Sequence, residues 1–246
     1  MVVDTLLITA TITPFSSFVV LSSSVARKKQ YYDALYYILK NSSFNKIIVC
    51  ENSEGWGHEA FWIDLAATYN KEIEFITHNH AMSANKSKGY MECELINYAV
   101  QNSKILRQGV TCFYKLTGRL IVKNINKILS FHHEDENVFI LAGLSSRDSL
   151  DTRFFKINVN LFTNYIYPYA YKICDEKGYY MEHLFHDVLN HKSQSSRYPS
   201  VKFCKQTFRC LPEVIGTSGS TGLPYNVGVL RNFIRRIIFK LGLYKV

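Results

Sequence analysis

The sequence predicts an α/β fold: a mostly parallel central sheet with helices on both faces, and an amphipathic helix at the C-terminus. Three observations predict it. Short β-branched apolar runs alternate with helix-patterned segments through the first half of the chain, the pattern of βαβ units. The runs at 4–12 and 46–50 are largely apolar instead of alternating with polar residues, as expected of strands covered on both sides. Residues 228–244 keep a helical period without interruption.

Residues 4–12 (DTLLITATI) are followed by Pro14 and read as a buried first strand. Arg27 to Lys40 carries Tyr31, Ala34, Leu35, Ile38 and Leu39 at helical spacing. Residues 46–50 (KIIVC) form a second strand ending in Glu51-Asn52-Ser53; 58–69 read as a helix and 72–77 as a third strand. A polar loop at 84–89 leads into a helix over 90–103, with Glu92 and Glu94 in its first turn, where carboxylates suit the positive end of the helix dipole. Residues 111–116 (TCFYKL) form a fourth strand ending at Thr117-Gly118-Arg119. Strands near 137–143 and 152–159 flank a polar loop at 145–151, and helices are expected over 161–177 and from Met181 onward. A basic stretch at 192–209 and a Gly/Ser/Thr-rich segment at 216–222 follow.

A chain of 246 residues hides roughly 70–75% of its unfolded surface. With 47% hydrophobic residues it has the material for such a core, which excludes a disordered chain. The six cysteines form no CxxC pair and lie in apolar runs, which suits reduced thiols in a cytoplasm better than a disulfide frame or a zinc site. Asp4 interrupts the N-terminal apolar run and no basic residues precede it, so it reads as a strand and not a signal peptide. No run of about 18 apolar residues predicts a membrane-spanning helix. The net charge of +9 favours an anionic partner: nucleic acid, anionic lipid or a phosphorylated substrate. The His132-His133-Glu134-Asp135-Glu136 cluster reads as a solvated turn rather than a metal site.

In open parallel sheets, ligands bind beyond the carboxyl ends of the strands. Those ends are polar here: Thr9 to Thr13, Glu51-Asn52-Ser53, His78-Asn79-His80 and Thr117-Gly118-Arg119. Four together predict a cleft. No GxGxxG follows the first strand, no GxxxxGK[ST] is present, and Gly216–Gly222 contains no nucleophile elbow.

The order of ITATITP, a helix with Arg27, and VCENS resembles the nucleotide-sugar half of GT-A glycosyltransferases. KGYMECELINYAV, FYKLTGRLIVKNI, LDTRFF, YYMEHLF and GTSGSTG resemble blocks of bacterial capsule and O-antigen glycosyltransferases, over about residues 4–225. The resemblance implies one GT-A-like domain over 1–225, with a nucleotide-sugar half to about 125 and an acceptor half beyond it. It implies that Thr9, Thr11, Glu51, Asn52 and Ser53 hold the nucleoside, that Lys88-Gly89 approach the sugar or diphosphate, and that Arg27, Thr117, Gly118 and Arg153 are also among the substrate-binding residues. Ser218, Gly219, Ser220 and Thr221 would fold over the diphosphate, their N–H groups forming a nest.

Where most GT-A enzymes place a metal-holding Asp-x-Asp, this chain has Thr117-Gly118-Arg119. The expectation is therefore a nucleotide-sugar donor with no bound cofactor and no protein metal ligands, the need for a divalent ion being left open. A guanidinium pairs bidentately with phosphate oxygens, so Arg119, with Lys88 or Lys115, is expected to neutralise the leaving diphosphate. For the base of an inverting transfer, Glu182 in YYMEHLF is first choice, Asp151 beside Arg153 in LDTRFF second and Asp148 third. Retention of configuration stays open.

In the tail, 226–246, Leu230, Phe233, Ile234, Ile237, Ile238 and Leu241 form one helical face, with Arg231, Arg235, Arg236 and Lys240 opposite and Phe239 out of place among them. A basic amphipathic helix without acids suits an anionic membrane surface. That fits a saccharide or lipid-linked acceptor and a peripheral position on the inner face of the cell membrane. The alternatives are nucleic-acid binding, for which no recognition motif is visible, nucleotidyl transfer, which needs clustered metal-binding carboxylates, and a non-catalytic scaffold.

Overall fold

The structure, a computed structural model, describes residues 4–14, 20–53, 55–78, 87–131, 137–143, 147–190, 205–218, 221–225 and 229–246. Seven strands make the central sheet: β1 (Thr5–Ala10), β2 (Lys46–Glu51), β3 (Glu72–Thr77), β4 (Cys112–Thr117), β6 (Asn137–Phe139), β7 (Phe154–Asn158) and β8 (Lys205–Thr207). Their order is β3-β2-β1-β4-β7-β6-β8. β1, β2, β3 and β4 are mutually parallel, β7 is antiparallel to β4 and β6, and β8 is parallel to β6. A separate antiparallel ribbon joins β5 (Ile121–Val122) to β9 (Val214–Ile215).

Every residue of β1 is buried, as its unbroken apolar run requires of a central strand covered on both sides. The strand period of two sends alternate residues to two cores. Leu6, Ile8, Ala10, Tyr114 and Leu116 pack with Tyr31, Leu35, Ile38 and Leu39 of α1 (Ser24–Asn41) and Trp62 of α2 (Glu59–Thr68). Leu7, Ile48, Phe113, Phe155 and Ile157 pack with Cys93, Ile96 and Ala99 of α3 (Lys88–Asn102) and with Leu184, Phe185 and Val188 of α6 (Met181–Asn190). Two short helices, α4 (Ile125–Leu129) and α5 (Val159–Leu161), and the terminal α7 (Val229–Lys240) complete the elements. Side-chain caps set the starts of α1 and α3: Ser23 accepts from the Ala26 N–H, and Ser87 from the Tyr90 N–H.

Three expectations are corrected. α3 starts at Lys88 behind Ser87, so Glu92 and Glu94 fall in its second turn, away from the dipole's end. The helix expected over 161–177 is broken into α5, a π-turn at Phe162–Ile166 and 3-10 turns at Tyr167–Lys172 and Asp175–Lys177. Pro168 has no N–H for an α-helical ladder, and Gly178, at φ 71°, closes the following turn so that Cys174 bridges Tyr179. The strand expected over 137–143 stops at Phe139, leaving only a Leu141–Leu150 bridge. The five described cysteines are free thiols, Cys50 and Cys93 among the core residues.

Candidate functional site

Parallel register brings the polar strand ends to one rim: Ala10 lies beside Glu51, Thr9 beside Thr117, and Glu51 beside Thr77. Asn79, His80, Gly219 and Ser220, named above with this rim or its loops, lie outside the described residues, as does the 132–136 cluster. The placed residues divide between the two faces of the sheet.

On the α1 side, charged groups hold loops. Glu51, buried beneath the loop after β2, accepts from the backbone N–H groups of Ile12 (2.9 Å), Ser53 (2.9 Å) and Gly55 (2.7 Å) and from the Ser53 hydroxyl. Arg27, on α1, donates through Nε to the carbonyls of Thr11 (2.8 Å) and Ile12 (3.1 Å) and through Nη1 to that of Leu21 (3.3 Å). Burial pulls the Arg27 guanidinium below its usual value, the more so with Arg119 near, while Tyr31 and Glu51 hold it up. Thr11 donates to Asn52 Oδ1 (2.7 Å), and the Thr13 N–H to the Ser53 hydroxyl (2.9 Å). Arg27, Glu51 and Ser53 thus spend their polar atoms on the backbone that frames the rim.

On the α3 side lies a continuous polar network. Lys115, in mid-β4, has a fully buried side chain. Its Nζ donates to Glu92 of α3, to the Thr117 hydroxyl (2.9 Å) and to the Thr152 carbonyl (2.9 Å). Thr9 also donates to Glu92 (3.1 Å). Thr152 in turn donates its hydroxyl to Glu182 Oε1 (2.7 Å), and the Leu150 N–H donates to the Glu182 carbonyl (3.1 Å). Burial pushes the Glu92 carboxyl up, but Lys115, the nearby Lys88 charge and Thr9 outweigh it, and Glu92 rests below the ordinary glutamate value. Glu182 goes the other way. Burial raises it, the Glu92 and Asp151 charges raise it further, and the bonds from Thr152 and its own N–H recover only part.

Two expected phosphate partners are therefore corrected. Lys115 has its three donors engaged inside the protein and is closed to a diphosphate. Arg119 is 7% exposed and turned toward α1, donating to Gln30 (3.2 Å) and to the Thr217 carbonyl (3.1 Å), while Glu182 faces Thr152 beneath α3. The expected grouping of Arg119 with Glu182 is absent. Gly118 packs closely on β1, where a Cβ would lie 2.7 Å from Ile8 and 2.8 Å from the Thr9 carbonyl, and Arg119 follows it to Gln30 on the α1 side. On either side of 219–220, the Ser218 N–H donates to the Leu223 carbonyl (2.8 Å) and the Thr221 N–H to Ser218 Oγ (3.2 Å).

Asp151, second choice as base, is buried and bound by Arg153 through Nε (2.8 Å) and Nη2 (2.5 Å). Burial lifts its carboxyl, but the Arg153 guanidinium more than offsets that and holds it below the usual aspartate value. Arg153 also lies 4.6 Å over the Tyr225 ring. Asp148 is exposed on a turn. Lys88 is exposed at the start of α3, and Gly89 packs where a Cβ would lie 3.2 Å from the Met181 backbone nitrogen, which seats α3 against the start of α6.

Sequence reasoning missed Glu92 and Thr152. A signal existed for Glu92: it shares the α3 stripe with Ile96 and Ala99, and Lys115 interrupts an apolar strand. Opposite charges set in two apolar patterns have reason to meet.

No family model and no curated protein matches the chain. Among solved structures, one described as a glucose-1-phosphate thymidylyltransferase from Bacillus anthracis, in complex with a sucrose, superposes with TM-score 0.51 at 10% identity, covering 95% of each chain. A more distant one, described as a nucleotide-diphospho-sugar transferase from Desulfovibrio desulfuricans G20, gives TM-score 0.40 at 9% identity over 67% of this chain and 69% of that chain. The first likeness shows the fold: a mixed α/β, mostly parallel sheet of the GT-A-like kind found in nucleotidyltransferases.

Proposed function

We propose that this protein transfers a sugar from a nucleotide-sugar donor to a saccharide acceptor, with Glu182 as the base. One observation carries the reading: a carboxylate just past the sheet's carboxyl rim, pinned by Thr152 and held above its ordinary value by burial and by Glu92 and Asp151. A carboxylate raised in this way accepts a proton more readily than an ordinary glutamate. In the step, the acceptor oxygen bonds to the anomeric carbon as the bond to the diphosphate breaks. The nucleoside diphosphate leaves with the electron pair, and Glu182 takes the hydroxyl proton. In this reading Lys88, exposed at the N-terminus of α3, supplies positive charge for the diphosphate, and Thr11 and Asn52, bonded to each other at the rim, contact the nucleoside.

The acceptor in this reading is lipid-linked, in surface-polysaccharide synthesis at the cytoplasmic face of a membrane. Support comes from α7. Phe239, out of place in the sequence pattern, packs with Ile238 against the core, while Phe233, Ile234, Ile237 and Leu241 stay exposed. Arg235, Arg236 and Lys240 lie on the same helix, and Arg236 pairs with Glu213 (2.6 Å). An exposed apolar row beside bases suits the headgroup region of an anionic bilayer. No helix among the described residues is long and apolar enough to cross a membrane.

A thermal-shift screen against UDP, GDP, CMP and their sugars, with and without Mn²⁺, tests the donor. One nucleotide raising the melting temperature supports the reading. Stabilisation by none of them contradicts it. The metal arm reads dependence on a divalent ion directly.

A further inference from the structure

We infer that Glu92, Lys115 and Thr152 form a positioning device that fixes and tunes Glu182. The inference rests on the proposed reading of Glu182 as the base and says how that base is set.

The geometry links the four residues in series. Lys115 holds the Thr152 carbonyl at 2.9 Å, and the Thr152 hydroxyl holds Glu182 Oε1 at 2.7 Å. The Leu150 N–H holds the Glu182 carbonyl at 3.1 Å, so the segment before β7 grips both the backbone and the side chain of Glu182. Glu92 anchors the other end, taking Lys115 and the Thr9 hydroxyl on one oxygen. Such a pair is not needed for stability alone, because well-packed apolar side chains of similar volume commonly replace a buried ion pair at no loss. What an apolar pair could not supply is a fixed negative charge near Glu182 and a hydroxyl locked in one orientation.

The charged groups around Glu182 are Glu92 on α3, with Lys115 of β4 behind it, and Asp151, paired to Arg153, before β7. His183 and Asp187 follow it on α6. The Glu92 charge raises the Glu182 carboxyl, and the Thr152 hydroxyl lowers it. Removing one or the other therefore moves Glu182 in opposite directions. Glu92→Gln takes away the like charge and leaves Lys115 uncompensated, and both effects lower the titration midpoint. Thr152→Val keeps the shape and the carbonyl bond to Lys115 but removes the donor, so the midpoint rises.

The test is a ¹³C NMR titration of full-length protein labelled at the glutamate carboxyl carbons, the Glu182 signal being identified by its loss in Glu182→Gln. The expected shifts are about one pH unit down in Glu92→Gln and about one up in Thr152→Val, with Thr152→Ser returning to the wild-type midpoint. A midpoint unmoved in both variants, or moved the same way in both, overturns the inference. If Glu92→Gln does not fold, Thr152→Val decides alone, and an unchanged midpoint there is a refutation. The titration needs no substrate. A Glu182→Gln protein that still transfers sugar would defeat the proposed function while leaving this result standing.

Discussion

The two faces of the rim use charge differently. On the α1 side, Arg27 and Glu51 are bonded mainly to backbone groups of the loops they hold. On the α3 side, Glu182 has one side-chain donor among the described residues, Thr152, and the neighbouring negative charges of Glu92 and Asp151. A charge saturated by fixed backbone partners has little left to offer a substrate. A carboxylate that is under-compensated and pushed up is ready to take a proton. The comparison separates architecture from chemistry among residues that all looked like site candidates in the sequence.

Mutations can break this comparison. The largest effect is expected from Glu182→Gln, which should slow transfer by about 10²–10⁴-fold while nucleotide binding, read by thermal shift, persists. Next is Lys115→Met. It leaves the partly buried Glu92 carboxylate without its charged partner and should cost about 1–3 kcal/mol in urea unfolding. Adding Glu92→Leu to it should recover most of that loss. Glu51→Gln exchanges an acceptor-only group for one that cannot accept from every N–H now aimed at it, and about 1–3 kcal/mol is expected in the same assay. The smallest effect on stability is on α7. Phe233→Ser should stay within about 0.5 kcal/mol, because its ring is already exposed, yet reduce co-sedimentation with anionic vesicles. Unchanged vesicle binding would remove the membrane role.

Much of the fold was legible because β1, β2 and β4 are largely apolar runs bounded by polar turns, and burial on both faces leaves little else for such runs to do, whereas β3, at the sheet edge, alternates Glu with apolar residues and is mostly half-buried. The break at Pro168 was visible as a residue, but the surrounding tyrosines and apolar side chains mimic a helix period. β8 is three residues of Lys, Gln and Thr, whose pairing with β6 comes from tertiary context alone. In the site, strand ends found the rim, since parallel register aligns them. The sides of the rim were not legible: Arg119 is two residues past Lys115's neighbour Thr117, yet beyond the close approach of Gly118 to β1 it bonds to Gln30 on the other face. Contacts distant in sequence, such as Glu92 to Lys115 and Thr152 to Glu182, leave only an indirect mark, a charge where an apolar residue was expected.

The measurement closest to the central claim is ³¹P NMR of the reaction products. Full-length protein is given the nucleotide sugar that stabilises it, together with a lipid-linked saccharide acceptor, and separately a nucleoside triphosphate with a sugar 1-phosphate. The account predicts acceptor-dependent release of nucleoside diphosphate in the first mixture, absent in Glu182→Gln. Pyrophosphate appearing in the second mixture, with no nucleoside diphosphate in the first, would make the protein a nucleotidyltransferase and contradict the account.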